Sequence, residues 1–215
     1  MNFDHQFFGK IAGMLATLGF LPYAIAILRG RIQPIKASWI IWAVIGVALA
    51  VSYKTAGANA SIWVPVSYSI CPVIILALIF YKDRRKMNAW PTADQICLII
   101  GLILFVPWLI FKLIEGSDFL SPRQWILPLI TLYGGIAVDG FGAVPTILKS
   151  WKNPEGESVL AWTFWTAGNL LNLLAIETWS WNVASYAVYM ALLAILILPS
   201  LYLYQIKIWH KNKNF

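Results

Sequence analysis

Long apolar stretches, separated by short polar ones, occupy most of the chain. Seven of them reach the length of about 20 residues that a helix needs to cross the hydrocarbon core of a bilayer. We place them at 9–29, 37–56, 60–81, 94–114, 124–150, 158–177 and 182–206. None alternates apolar and polar residues as a barrel strand does, and in lipid the remaining solution for the backbone is a helix. The pattern predicts an all-α integral membrane protein with seven transmembrane helices.

Composition and charge agree with this prediction. The chain has 215 residues, of which 60% are hydrophobic and 12% charged, whereas a soluble domain is about half apolar and a quarter charged. If seven spans alternate in direction, twelve of the 16 Lys and Arg residues fall on one side. The positive-inside rule then places the N-terminus outside and the C-terminus in the cytoplasm, in the inner or plasma membrane. The net charge of +7 is thereby explained without nucleic acid. The two cysteines and two histidines form no cluster along the sequence, so we expect no metal and no cofactor.

Rare residues recur in register at a spacing of 123 positions. The matched pairs are Gly19 with Gly142, Pro22 with Pro145, Trp39 with Trp162, Trp42 with Trp165, Asn59 with Asn182, and Tyr81 with Tyr204. Matched aliphatic residues would mean little in so apolar a chain, but prolines and tryptophans are informative. The register indicates an internal duplication.

Each repeat holds three predicted spans, and an odd number of crossings leaves the chain on the opposite side of the membrane. The span at 94–114 has no partner in the register and would return the chain. The sequence therefore predicts a 3+1+3 plan with two parallel three-helix bundles. Its parts are a first repeat at 1–86, a linker helix within 87–120 and a second repeat at 121–215.

Two stretches carry a resemblance to a known superfamily. The sequences "LRGRIQPIKASWIIW" and "PTILKSWKNPEGES", together with the 3+1+3 plan, resemble an uncharacterised bacterial branch of the SWEET and PQ-loop (MtN3/saliva) proteins. The resemblance covers nearly the whole chain. The Pro-Gln pair that names the family is Pro22-Tyr23 and Pro145-Thr146 here. The resemblance implies a transporter of small polar solutes, with sugars as the best-known cargo, that works by alternating access.

Two polar side chains are predicted to lie at similar depth near the middle of the membrane. Asp139 precedes Trp151 by 12 residues and Asn169 follows Ser158 by 11, which puts them about 18 Å and 16 Å from the same membrane surface. Burying a carboxylate in this position costs free energy, and such a carboxylate is usually functional. Asp139 can accept hydrogen bonds from a substrate or couple transport to protons, and the alternative is a structural carboxyl group. The equivalent position in the first repeat is Ala16.

One face of the sixth predicted span combines aromatic rings with amides. Trp162, Trp165, Asn169 and Asn172 follow the spacing i, i+3, i+7 and i+10, which places them on the same side of a helix. Rings can cover the C–H faces of a polyhydroxyl solute while amides bond its hydroxyl groups. The alternatives are interfacial anchors for Trp39 and Trp162, and contacts between helices for the two asparagines.

The first repeat offers fewer polar groups for the same cavity. Trp42 corresponds to Trp165, and Ser67 and Tyr68 in the third span can supply hydroxyl groups. The alternative for such hydroxyl groups is a bond to their own helix backbone.

The recurring prolines are predicted to act as hinges. Pro22 and Pro145 each remove a backbone hydrogen bond within the first helix of a repeat, and Gly19 and Gly142 lie one turn earlier. The pairs Gly19–Pro22 and Gly142–Pro145 would let each helix bend between two states. The alternative is that they are ordinary membrane-helix prolines.

These observations predict a transporter of a small polar solute, sugar-like by the resemblance, rather than an enzyme. The sequence offers no acid, base and nucleophile that converge with Asp139. A receptor or sensor on the same fold is the alternative. The expected partners are the solute and the lipid bilayer, and a homo-oligomer is left open.

Overall fold

The helices of the chain are seen in a computed structural model that describes residues 4–82 and 126–213, with positions 92, 95, 96, 99, 100 and 103 between them. The two long segments form six α-helices and no strand. They are α1 His5–Leu28, α2 Lys36–Thr55, α3 Trp63–Lys82, α4 Ile126–Lys152, α5 Val159–Leu174 and α6 Trp181–Lys213. The all-α prediction is confirmed for these residues. Most of the predicted fourth span at 94–114 lies outside them.

The ends of the helices follow from local sequence. The side chain of Asp4 accepts a hydrogen bond from the backbone N–H of Phe7 at the start of α1. After α1, Gly30 adopts a φ of 67°, and the backbone N–H groups of Gly30 and Arg31 bond to Ile27 and Ala26 at 2.9 Å each. A residue in the left-handed region that closes the last carbonyls is a frequent helix end, and glycine adopts it without strain.

Within the described parts of the chain, four helical stretches are long and apolar enough to cross a membrane. They are His5–Leu28, Lys36–Thr55, Ala60–Lys82 and Trp181–Lys213. Their outer surfaces carry exposed aliphatic side chains, among them Leu21, Val47 and Ile70, as expected where lipid replaces water. The α5 helix has 16 residues, or about 24 Å, which is shorter than the span predicted at 158–177. These features are compatible with a membrane protein.

Helix packing repeats at the same 123-residue spacing as the sequence. In the first set, α1–α3, the third helix packs on both α1 and α2, and in the second set, α4–α6, α6 packs on both α4 and α5. The sets join crosswise, with α1 against α5 and α2 against α4. Shifting by 123 residues exchanges each of these pairs with its counterpart. The two sets therefore share one internal arrangement.

Both sets also run in the same direction. Lys82 at the end of α3 bonds to the carbonyl of Leu28 at the end of α1 at 2.7 Å. The segment after α1 meets the segment after α4, where the N–H of Gln33 bonds to the carbonyl of Gly156 at 3.2 Å. Hence α1, α3 and α4 all finish at one end of the bundle, which we call the basic end because Arg29, Arg31, Lys82, Lys149 and Lys152 lie there.

The recurring glycines lie where helices of the two sets cross. A Cβ atom added at Gly19 would lie 2.6 Å from Nε1 of Trp165 in α5, and one at Gly142 would lie 2.8 Å from Cγ2 of Ile41 in α2. Both distances are too short for non-bonded atoms. The two glycines therefore permit the close approach of α1 to α5 and of α4 to α2.

Candidate functional site: a cavity between the two helix sets

A cavity lies between the two sets of helices and receives residues from both. Its volume is about 60 Å³. Six of the residues considered from sequence as solute contacts line it: Trp42, Tyr68, Asp139, Trp162, Trp165 and Asn169. The structure thus brings together side chains from α2, α3, α4 and α5.

Seven aromatic rings from the described part of the chain line the cavity. They are Phe20, Trp39, Trp42 and Tyr68 from the first set and Trp162, Trp165 and Tyr186 from the second. The pair Trp39–Trp42 is edge-to-face at 5.2 Å between ring centroids, and its counterpart Trp162–Trp165 is edge-to-face at 5.0 Å. The 123-residue register therefore extends to the geometry of the rings.

The interpretation of Trp39 and Trp162 as interfacial anchors is wrong. Their exposed fractions are only 2% and 4%, and both indoles pack in the hydrophobic core around Phe20 and Tyr23. The sequence placed them at helix starts, where an anchor is expected. In the folded chain the crossing of the two sets covers these starts, because α1 lies against α5.

The indole N–H groups of two of these tryptophans are bonded within the protein. Nε1 of Trp165 donates to the carbonyl of Ala16 at 3.1 Å, and Nε1 of Trp162 donates to the carboxylate of Glu157 at 3.1 Å. Since an indole has a single donor, neither ring has a donor left for a solute.

Asp139 and Asn169 contribute the strongest polar groups of the cavity. The hydroxyl of Tyr189 in α6 donates to Oδ2 of Asp139 at 2.5 Å. Nδ2 of Asn169 donates to the hydroxyl of Tyr68 at 3.0 Å, which orients the amide. Oδ1 of Asn169 is buried and has no hydrogen-bond partner among the described residues. The cavity wall therefore contains acceptor oxygens, one of them without a hydrogen-bond partner among the described residues.

Two other residues predicted as solute contacts are not among those that line the cavity. Asn172 is buried one turn beyond Asn169 in α5, and a step of three residues rotates a side chain by about 60° around the helix axis. The hydroxyl of Ser67 accepts a hydrogen bond from Thr17 at 3.0 Å. That bond joins α3 to α1 within the first set.

A buried ion pair closes the basic end of the same region. The carboxylate of Glu157 is bonded to Nζ of Lys149 at 2.8 Å, with its side chain fully covered and that of Lys149 13% exposed. The carboxylate also accepts from the hydroxyl of Tyr23 at 3.0 Å and from Trp162. Tyr23 belongs to α1, so this carboxylate ties the second set to the first.

Lys149 makes a further link between the sets. Its ammonium group donates to the carbonyl of Gln33, which follows α1, and to the carbonyl of Gly156. We call Tyr23, Gln33, Lys149, Glu157 and Trp162 the basic-end cluster. Sequence reasoning did not identify it, because its two halves lie more than a hundred residues apart. The available signal was a lysine and a glutamate near each other in a chain with few charges.

Polar contacts also join the two sets at the opposite end. Glu177, which follows α5, accepts from Gln6 of α1 and from Asn59 at 3.4 Å each. Nδ1 of His5 lies 3.0 Å from the carbonyl of Leu174 at the end of α5. Gln6 and Tyr23 are 17 residues apart in α1, about 25 Å along the helix. The cavity therefore lies between two layers of contacts.

The predicted hinge prolines lie beside contacts between the sets. Pro22 and Pro145 are both inside continuous helices. Each is followed by a residue that reaches across: Tyr23 bonds to Glu157, and Thr146 donates to the hydroxyl of Ser38 in α2 at 2.9 Å. Tyr23 and Thr146 occupy equivalent positions of the two repeats, whereas their partners Glu157 and Ser38 do not.

Comparisons of the chain with protein-family models, with curated proteins and with solved structures find no match. The resemblance to the SWEET and PQ-loop superfamily therefore stays a prediction from the residues. Function has to be argued from the cavity and its surroundings.

Proposed function

We propose that the chain is a membrane transporter that moves a small polar solute by alternating access between its two helix sets. In this proposal the segment 87–120 supplies a linker helix and completes a seven-helix 3+1+3 bundle. The protein lies in the cytoplasmic membrane, with the basic end facing the cytoplasm and the N-terminus outside.

The observation that carries the proposal is the position of the cavity between two sets that share one packing pattern. Helices α2 and α5 supply the matched pairs Trp39–Trp42 and Trp162–Trp165 to its wall. A site at the boundary of two repeats opens to one side or the other when the repeats rock against each other. A cavity inside one set would not respond in this way.

The contacts at the two ends supply the gates of this mechanism. Opening towards the cytoplasm requires the bonds of Tyr23 and Lys149 across the basic end to break. Opening outwards requires Glu177 to release Gln6 and Asn59. Both gates consist of polar bonds between the sets, which can exchange for bonds to water at small net cost.

The prolines fit the role of hinges. Each lacks the N–H that would bond one turn back in its helix, and each lies next to a residue of the basic-end contacts. A bend at Pro22 or Pro145 moves Tyr23 or Thr146 while the helix core stays packed at Gly19 or Gly142.

Access to the cavity from each side of the membrane tests the proposal without knowledge of the solute. Ala194 lines the cavity and would be replaced by Cys in a chain whose Cys71 and Cys97 are changed to Ala. A membrane-impermeant methanethiosulfonate should label this cysteine from both sides of oriented vesicles. Labelling from a single side would contradict alternating access and favour a receptor.

A matched control shows that labelling requires a water-filled path. Ile70 is exposed on the outer surface of α3, where the proposal places lipid. Ile70→Cys in the same background should stay unlabelled from either side. Its labelling would contradict the placement of this surface in lipid.

A further inference from the structure

The cavity carries information about the class of its solute. We propose that the cavity binds a small organic cation, a protonated amine with an apolar body. This inference rests on the proposed function, since it names the solute of the same cavity.

Charge gives the first argument. Among the described residues that line the cavity, Asp139 is the only charged side chain. It is 7% exposed, and its polar partner is the neutral hydroxyl of Tyr189. A buried carboxylate that has no cation close to it within the described part of the chain favours a positively charged ligand and disfavours an anion.

Hydrogen-bonding capacity gives the second argument. An ionised carboxylate only accepts hydrogen bonds, and Tyr189 takes one of its several acceptor positions. Oδ1 of Asn169 is a second acceptor without a partner among the described residues. An ammonium group only donates, so both acceptors suit it.

The rings give the third argument. Trp162 and Trp165 use their indole donors within the protein, so they offer a solute only their π systems and edges. Aromatic faces attract cations, and they also cover hydrocarbon. A sugar has a hydroxyl group on nearly every carbon and needs many donors and acceptors. The wall is mostly aromatic and aliphatic, and therefore fits an amine with an apolar chain better.

The test compares three probes on the purified full-length protein in detergent. They are n-butylammonium, its neutral analogue 1-butanol, and glucose. The rise of the apparent melting temperature with probe concentration gives an apparent Kd for each. We expect n-butylammonium to bind at least tenfold more tightly than 1-butanol, and glucose to bind more weakly than n-butylammonium. Equal affinities for n-butylammonium and 1-butanol would overturn the proposal, and tighter binding of glucose would assign the cavity to sugars.

Variants locate the binding. Asp139→Asn should weaken n-butylammonium at least tenfold and leave 1-butanol unchanged. Glu155→Gln removes an exposed carboxylate outside the cavity and should change neither affinity. Equal loss in both variants would show a nonspecific charge effect and overturn the assignment. If Asp139→Asn does not fold, the three probes on the wild-type protein still decide.

Equilibrium binding in detergent requires no movement of solute across a membrane. If Ala194→Cys is not labelled from both sides but n-butylammonium binds tightly, the transport proposal is rejected and the assignment of the solute as an organic cation stands. If Ala194→Cys is labelled from both sides but n-butylammonium does not bind tightly, the transport proposal stands and the assignment of the solute as an organic cation is rejected.

Discussion

Two buried carboxylates have opposite surroundings in this chain. Glu157 is bonded to an ammonium group, a hydroxyl and an indole N–H, so its charge is compensated. Asp139 has the hydroxyl of Tyr189 as its polar partner within the described residues. The first carboxylate is suited to hold helices together, and the second to exchange a proton or a cation.

Removal of the compensated carboxylate should destabilise the protein. Glu157→Ala leaves Lys149 without its charge partner and leaves the donors of Tyr23 and Trp162 unpaired. Breaking a buried ion pair from one side costs about 3 kcal/mol or more, so the apparent melting temperature in detergent should fall clearly. The control is Glu155→Ala, an exposed neighbour two residues away, for which we expect a change within about 0.5 kcal/mol. Equal melting temperatures for the two variants would show that the basic-end cluster does not stabilise the fold.

The uncompensated carboxylate should make cation binding depend on pH. A proton on Asp139 removes the charge that attracts an amine, so the affinity for n-butylammonium should fall as the pH falls. The neighbouring hydroxyl groups of Tyr68, Tyr186 and Tyr189 do not titrate in the acidic range. Apparent Kd values of the wild type between pH 4 and pH 8 check this, and Asp139→Asn should give a flat profile. A matching slope in both proteins would mean that another group binds the proton.

At the scale of helices, glycine and proline have separate roles. Gly19 and Gly142 set how closely the two sets approach, because a Cβ atom at either position would collide with the partner helix. Pro22 and Pro145 lie three residues later, beside the contacts of Tyr23 and Thr146. A rigid crossing next to a weakened backbone defines where each helix can bend.

Replacing both prolines should slow the conformational exchange. Pro22→Ala with Pro145→Ala restores one backbone hydrogen bond in each helix, and the helices become stiffer. We expect folded protein whose Ala194→Cys site is labelled more slowly from at least one side. Pro199→Ala, at an exposed proline inside α6 that has no counterpart in the register, is the control and should leave both labelling rates unchanged. Unchanged labelling rates in the double variant would show that Pro22 and Pro145 do not act as hinges and only contribute to helix packing.

Much of this helix geometry was predictable from sequence, and part of it was not. Depth and register placed Asp139, Asn169, Trp42 and Trp165 in one region, because rise and rotation per residue are fixed in a helix. The partners of Glu157 were not predictable, since they depend on how two distant loops meet. The burial of Trp39 and Trp162 was missed for the same reason, because the sequence shows where a helix begins but not what covers it.

At the scale of the whole molecule, the chain combines symmetric packing with asymmetric chemistry. The crosswise contacts of α1 with α5 and of α2 with α4 are equivalent. The chemical groups are not, because Asp139, Asn169 and Glu157 correspond to Ala16, Gly46 and Pro34. A Cβ atom at Gly46 would lie 2.4 Å from the carbonyl of Tyr68, so the first set has no room for a second amide there.

The seven crossings that we propose would place the two chain ends on opposite sides of the membrane. We expect a reporter fused before residue 1 to be active outside the cytoplasm and one fused after residue 215 to be active inside it. The twelve basic residues on the predicted cytoplasmic side are the physical reason. Activity of both reporters on the same side would require an even number of crossings and would reject the 3+1+3 plan.

Ala16 lies where α1 packs against α5. Ala16 is fully buried, and its backbone nitrogen would lie 3.1 Å from a Cβ atom placed on Gly168. A protein assembled from two copies of the second half would have an aspartate at the position of Ala16. Its carboxylate would lie against α5 and outside the cavity. We therefore expect that a copy of the second half cannot replace the first without loss of stability, although the two halves share one packing pattern.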